Sequence, residues 1–192
     1  MNVKKRMLWG AVLVLFVTLI AACGQSAEEN ANVEDEASHV DQEESSAKAD
    51  FPLTLIDGSG TEKTIKQAPE TIVSLMASNT EIAFALGLGD KVIGVSDFCN
   101  YPQEVNEIEK LGAQDFNTER ILELLPDLLL VSQYHDQTHG AVLEQFEEAG
   151  ITVIVVADAN SFEETYQTIE LIGQAGGVTE EADRIIDEMK NR

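Results

Sequence analysis

From residue 51 onward, short apolar runs rich in β-branched residues alternate with longer segments of helical character, and this alternation constrains the fold more than any other feature. "TIVSL" (71–75), "KVIGV" (91–95), "LLLV" (128–131) and "TVIVV" (152–156) are of strand length and almost unbroken in apolar character. Runs of that kind belong to strands covered on both faces, as in a parallel sheet. Between them the spacing predicts helices near 79–86, 118–125, 138–149 and 161–173. The expected fold class is therefore α/β, a parallel sheet sandwiched by helices. Ahead of it, "LTLIDGSGTEKTI" sets two short β-rich runs around Asp57-Gly58-Ser59-Gly60, which reads as a small N-terminal hairpin.

The punctuation agrees. Gly87 and Gly150 stand where helices end, and Pro126 stops another. Ser78-x-x-Glu81 and Ser161-x-x-Glu164 fit capping boxes. The final stretch, "TEEADRIIDEMKNR" (179–192), opens like a helix capped by Thr179, with Glu180 and Glu181 in the first turn, where the dipole favours anions. Ala182, Ile185, Ile186 and Met189 form one stripe on it, and within this chain the stripe is expected to lie exposed and prone to fraying or association. In parallel sheets ligands collect at the carboxyl ends of the strands. That rule nominates the loops 76–79, 96–101, 132–136 and 157–160, with 114–117 added although the strand before it is poorly defined.

The first 50 residues are of another kind. Lys4, Lys5 and Arg6 precede an uncharged apolar run over 7–22. A membrane span needs about 20 apolar residues, so the shorter run suits a signal peptide. It ends in "IAAC", which resembles the lipobox of bacterial lipoproteins. The resemblance implies that residues 1–22 are removed and that Cys23 carries the lipid, which anchors the exported chain to the membrane. Residues 24–50 hold nine acidic residues and one lysine with little that is large and apolar. Such a segment cannot offset its ordering entropy and is expected to be a disordered, extended tether. The whole chain carries 12 basic and 35 acidic residues, a net charge of −23. That field repels phosphate backbones and argues against nucleic acid as a partner. Beyond the tether Cys99 is the only cysteine, so no internal disulfide is expected. It reads as a small buried hydrophobe, with thiolate ligation the weaker alternative.

"HDQTH" brings His135 and His139 to one face if the segment is helical, a possible metal or haem pair with Asp136 or Asp158 as third ligand. Two solvated histidines at a helix start are the plainer reading. "GLGD" (87–90) follows a helix and precedes a strand, the reverse of a dinucleotide loop. "GSG" lies in the hairpin, without the strand-to-helix elbow of a hydrolase nucleophile. No nucleophile–base pair or cofactor motif stands out, so the chain is read as a binding protein and not an enzyme, with no resident cofactor. Phe98, Tyr101, Phe116 and Tyr134 fall in or beside the nominated loops, where they would line an apolar pocket.

"APETIVSLMASNTEIAFALGLGDKVIGVSDFCNYPQEV" followed by "FNTERILELLPDLLLVS" resembles the amino-terminal lobe of the ABC-transporter solute-binding proteins for ferric siderophores and vitamin B12. The resemblance runs from about Phe51 to the end. It implies two α/β lobes joined by a long helix, with the ligand between them. Residues 51–178 would then be the amino-terminal lobe and 179–192 the start of the connecting helix. It also implies a small-molecule ligand, an iron-siderophore complex or cobalamin, and an ABC permease as partner, at the outer face of the cell membrane and more in keeping with a Gram-positive surface than a periplasm. Carried over residue by residue, ligand contacts fall near Ala77, Ser78, Phe98 and Ser132. Tryptophans of the family's vitamin B12 binder align near Ala113 and Ser132, so that Phe116 and Tyr134 would supply the stacking surface instead. The acidic residue of "N-x-E-R" that docks on permease arginines maps to Glu119. One lobe alone is expected to bind ligand weakly or not at all.

Overall fold

A computed structural model describes residues 51–192; the leader, Cys23 and the acidic tether lie outside the described residues. The chain begins with the antiparallel hairpin of β1 (Leu53–Ile56) and β2 (Glu62–Ile65). There follow β3 (Ile72–Ser74), α1 (Ala77–Ala85), β4 (Val92–Val95), β5 (Glu109–Lys110) and α2 (Thr118–Leu124). β6 (Leu128–Ser132), α3 (Gln133–Glu148), β7 (Thr152–Val156), α4 (Phe162–Gly176) and α5 (Thr179–Lys190) complete it. The five-stranded sheet has the order β5-β4-β3-β6-β7, and every pairing in it is parallel.

The near-continuous apolar strands are explained by which way successive side chains point. Ile72, Leu128, Leu130, Ile154 and Val156 turn to one face, where they meet Ala83 and Leu86 of α1, Ile169 and Ile172 of α4, and Ala182 and Ile186 of α5. Val73, Leu129, Val131, Val153 and Val155 turn to the other, against Ile121 of α2 and Leu143 and Phe146 of α3. With period-two alternation and a helical layer on each side, both faces of these strands are apolar up to the serines that end β3 and β6.

The expected strands and helices are all present, and their edges need adjustment. β5 is the poorly defined strand expected before the 114–117 loop. It has only two residues, both charged and exposed, because it is a sheet edge paired solely through Gly94 and Val95. α3 begins at Gln133, five residues before the expected start, so "HDQTH" is helical throughout apart from a break at His139 (φ −127°, ψ 20°). The Ser78 box does not form: α1 is capped at Met76 without a side-chain hydrogen bond, and Ser78 is already inside the first turn. Ser161 does cap α4, its Oγ accepting from the Glu164 N–H at 3.2 Å. Val178, not Thr179, is the cap residue of α5. The apolar stripe of α5 is the largest correction: Ala182 and Ile186 are buried, and Ile185 and Met189 pack half-buried against the same core. Gly173 of α4 permits this, since a Cβ there would come within 2.5 Å of the Ala182 Cβ.

The hairpin is pinned to the sheet by the Asp57 carboxylate together with a backbone bond from the Gly58 N–H to the Val155 carbonyl at 2.6 Å. Asp57 is buried and accepts from the Ser59 N–H (2.9 Å), Ser59 hydroxyl (2.6 Å), Thr61 N–H (3.1 Å) and, across the chain, the Val155 N–H (3.2 Å). Gly58 then passes so close that a Cβ would meet the Ala157 N at 2.4 Å. Removing a buried acceptor with several donors strands those donors. Asp57→Ala is expected to cost about 3 kcal/mol, read as a lower urea midpoint at unchanged m-value, with Asp57→Asn retaining part of the stability.

Candidate ligand-binding site

Strand order decides where a ligand can sit. After β3 the chain moves outward to β4 and β5, then returns to place β6 on the other side of β3 and β7 beyond it. The connections leaving β3 and β6 therefore diverge, and a crevice opens between their carboxyl ends. A cavity of about 290 Å³ lies there, lined by Met76, Ser78, Asn79 and Ile82 from the β3–α1 corner, Ser132 from the end of β6, and Val156 to Ala159, Thr165 and Thr168 from β7 and α4. A second, more apolar hollow of about 350 Å³ shares Ser78, Ile82 and Thr165 with it and extends to Tyr101, Ile169, Ile185 and Met189.

The surroundings are apolar in an unusual way. Seven large hydrophobic side chains are exposed among the described residues, and five of them follow carboxyl ends of strands: Met76, Phe98, Tyr101, Tyr134 and Phe162. Contiguous exposed apolar surface marks binding sites more often than chance. Three of the five belong to the aromatic set read from the sequence. Met76 and Phe162 were missed. Phe162 carried a signal, because it directly follows the nominated 157–160 loop and the Ser161 cap. Phe116, by contrast, is 9% exposed and packs into the core against His135 (ring centroids 5.5 Å), His139 (5.0 Å) and Phe146 (5.9 Å). It supports the loop from beneath and offers no open stacking face, which leaves Tyr134 as the exposed member of that pair.

Ala77 and Ser78 lie in the first turn of α1; Ser78 lines the cavity, whereas Ala77 packs against the core beneath it. Ser132 is buried and serves two neighbours at once. Its N–H donates to His135 Nδ1 at 3.3 Å and its Oγ lies 3.2 Å from the same nitrogen, closing the first turn of α3, while the residue also lines the cavity. His135 is thus 3% exposed, with one ring nitrogen committed to the backbone. His139 stands 6.3 Å away between ring centroids, its Nε2 3.7 Å from the Asp115 carboxylate. No group of three His, Cys, Asp or Glu side chains suited to a metal ion occurs among the described residues. Cys99 is buried beside Thr80, its Sγ 3.2 Å from the hydroxyl.

Glu119 sits in the first turn of α2, exposed, on a helix whose start is well fixed. Asn117 caps it by accepting from the Arg120 N–H at 3.1 Å. Arg120 itself grips Glu109 of β5 through two bonds of 2.8 and 3.0 Å and Glu123 through a third of 2.9 Å, a geometry that suits a planar guanidinium.

Burial first, and then repulsion from His139, lowers the pKa of His135 below its ordinary 6.5. The folded state therefore favours the neutral ring, while the unfolded chain takes up a proton near 6.5. The associated stability is full above that value and declines as the pH falls through the lower, folded-state pKa. Thermal midpoints are expected to drop between about pH 7 and about pH 5, with a flatter profile in His135→Gln.

With the site placed, likeness to known proteins can be weighed against it. A family model described as periplasmic binding protein matches residues 72–192. YvrC of Bacillus subtilis (strain 168), an uncharacterized ABC transporter substrate-binding lipoprotein, is 43% identical over 191 residues, which is 98% of this chain and 57% of that protein. The vitamin B12-binding protein of Yersinia pestis (strain Pestoides F) is 31% identical over 125 residues, 65% of this chain and 44% of that one. A possible iron-binding (periplasmic solute-binding) protein of Staphylococcus epidermidis ATCC 12228 has a crystal structure that superposes with a TM-score of 0.62 at 35% identity, covering 65% of this chain and 49% of that one. The chain spans about half the length of the curated relatives it matches. Since the matched region takes in the whole parallel sheet, the cavity at its carboxyl edge and α5, the chain belongs to the periplasmic binding protein family.

Proposed function

We propose that the protein is the substrate-binding lipoprotein of an ABC importer, taking an iron complex such as a ferric siderophore, or cobalamin, and delivering it to the permease. The observation that carries this reading is the set of exposed Met76, Phe98, Tyr101, Tyr134 and Phe162 in the segments that follow the carboxyl ends of β3, β4, β6 and β7, the same edge of the sheet that holds the cavity at the topological switch point, in a member of a solute-binding family. A bulky ligand with an apolar exterior fits that surface, because rigid aromatic rings supply contact area at little entropic cost. The names of the relatives point the same way, one binding vitamin B12, one possibly iron, and one an ABC transporter lipoprotein.

In this reading Ser78 and Ser132, which line the cavity, contact the ligand together with the neighbouring Ala77, and the exposed Phe98, Tyr101 and Tyr134 supply apolar contact surface. Phe116 braces the neighbouring loop from the core. Cys23 carries the lipid anchor and holds the chain to the outer face of the cell membrane, at a Gram-positive surface. Glu119 docks on an arginine of the permease, and the clamp of Arg120 on Glu109 and Glu123 holds α2 in place for it. No bond is made or broken: ligand binding presents a surface, and ATP hydrolysis elsewhere drives transport.

The test is uptake. A strain lacking the protein is expected to lose import of a ferric siderophore or of cobalamin; normal import of all of them would overturn the reading. Glu119→Ala is expected to weaken association with the permease in nanodiscs about tenfold or more, the loss of one charge-assisted contact. Ligand affinity would stay unchanged. Equal permease affinity for the variant would refute the docking role.

A further inference from the structure

The apolar hollow beside the cavity is left unused by the receptor function as stated. α4 packs against both α1 and α5, and the hollow of about 350 Å³ is the space between those two helices over α4. Its walls include Ile82 and Leu86 of α1, Ile169 of α4, and Ile185 and Met189 of α5, joined by Tyr101. Glu81, which is exposed, is the one charged side chain among the lining residues. Ile185 and Met189 stay half-buried although Ala182 and Ile186 of the same helix are buried, so apolar surface is left open there. Water is held poorly in such a hollow, because a stable water site needs several polar partners, and displacing loosely held water by an apolar group is favourable.

The hollow is continuous with the cavity. Ser78, Ile82 and Thr165 line both. On α1 the lining passes from Ser78 through Ile82 to Ala85 and Leu86, and on α4 Thr168 lines the cavity while Ile169 lines the hollow. Hydroxyls thus give way to aliphatic side chains across the shared wall. A ligand seated in the cavity lies against that wall, and an aliphatic group on it enters the hollow without crossing a charged barrier.

We propose that the hollow is a second compartment of the ligand site, which takes an acyl or alkyl arm of a chelate whose polar, metal-binding head sits in the cavity. Resting on the receptor function above, this narrows its ligand class: amphiphilic iron complexes are favoured over compact hydrophilic ones. Each methylene buried in the hollow raises affinity about fourfold.

Two gallium complexes of one linear trihydroxamate test it, identical except that the terminal amine carries an acetyl group in one and an octanoyl group in the other. In methyl NMR titrations of the full chain, both are expected to shift resonances at the cavity. Only the octanoyl chelate is expected to shift the methyls of Ile185 and Met189. Its affinity should exceed that of the acetyl chelate about tenfold or more, as for roughly two buried methylenes. Ala85 is exposed and lines the hollow, so Ala85→Phe fills the space without entering the core, and the affinity ratio is expected to fall to about one. The shifts in the native chain decide the matter even if that variant folds poorly. If the two chelates bind equally at the cavity and the Ile185 and Met189 methyls stay in place, or if only cyanocobalamin moves the cavity, this inference fails and the receptor function stands. A free chain that sediments as a dimer, dissociated by Ala85→Phe, would give the hollow to a second copy and likewise end the inference alone. If neither chelate nor cyanocobalamin moves any resonance at the cavity, both fail.

Discussion

β3 and β6 are adjacent, parallel and covered on both faces, and most of the architecture is a response to that constraint. Strands without a free face need a helical layer on each side. Parallel neighbours also need crossover connections, which the helices supply. The layers divide the work unequally: α1, α4 and α5 cover one face and α2 and α3 the other. Because the crossovers from β3 and β6 leave in opposite directions, a crevice stays open between their carboxyl ends. The crevice is thus a by-product of covering the core, and the binding chemistry occupies it.

The change from core to site is abrupt along each central strand. β3 ends at Ser74, Ser96 follows β4, and β6 ends at Ser132, all three at most 4% exposed. Apolar side chains that pack helices give way within one residue to hydroxyls that organise loops. Ser74 bonds to Thr80, Ser96 accepts from the Phe98 N–H at 3.3 Å, and Ser132 closes the first turn of α3. Buried hydroxyls are tolerated only with partners, so each serine fixes the corner that presents an exposed residue: Met76, Phe98 or Tyr134. Rigid corners of this kind hold a binding surface in place before the ligand arrives, which lowers the entropic penalty of association.

Much of the fold was legible because the strands β3, β4, β6 and β7 carry a strong local signal in their apolar runs. β5 was legible only as a poorly defined strand, since two charged residues on a sheet edge look like loop. Gly87 and Gly150, at φ 74° and 94°, were readable as helix ends because left-handed backbone favours glycine, and Pro126 was readable as a stop; the left-handed Leu125 (φ 43°) before it was not. Capping was only half readable: Ser161 capped as expected, whereas Ser78 matched the same pattern two residues past the true cap, Met76. Within the site, Phe98, Tyr101 and Tyr134 were legible as aromatics in ligand-facing loops. Whether an aromatic faces outward or inward depends on tertiary packing, and so Phe116 and His135 went to the core.

The contact between α4 and α5 has a mechanical consequence. Gly173 and Ala182 bring the two helix backbones so close that α5 cannot slide or roll without displacing α4. Ile185 and Met189 meanwhile form part of the wall of the apolar hollow beside the cavity. A load applied to the carboxyl end of α5 is therefore not absorbed there. It behaves as torque on a stiff arm, delivered through tightly packed side chains to the wall against which Ser78, Ile82 and Thr165 stand, and the width of the crevice becomes sensitive to the angle at which α5 is held.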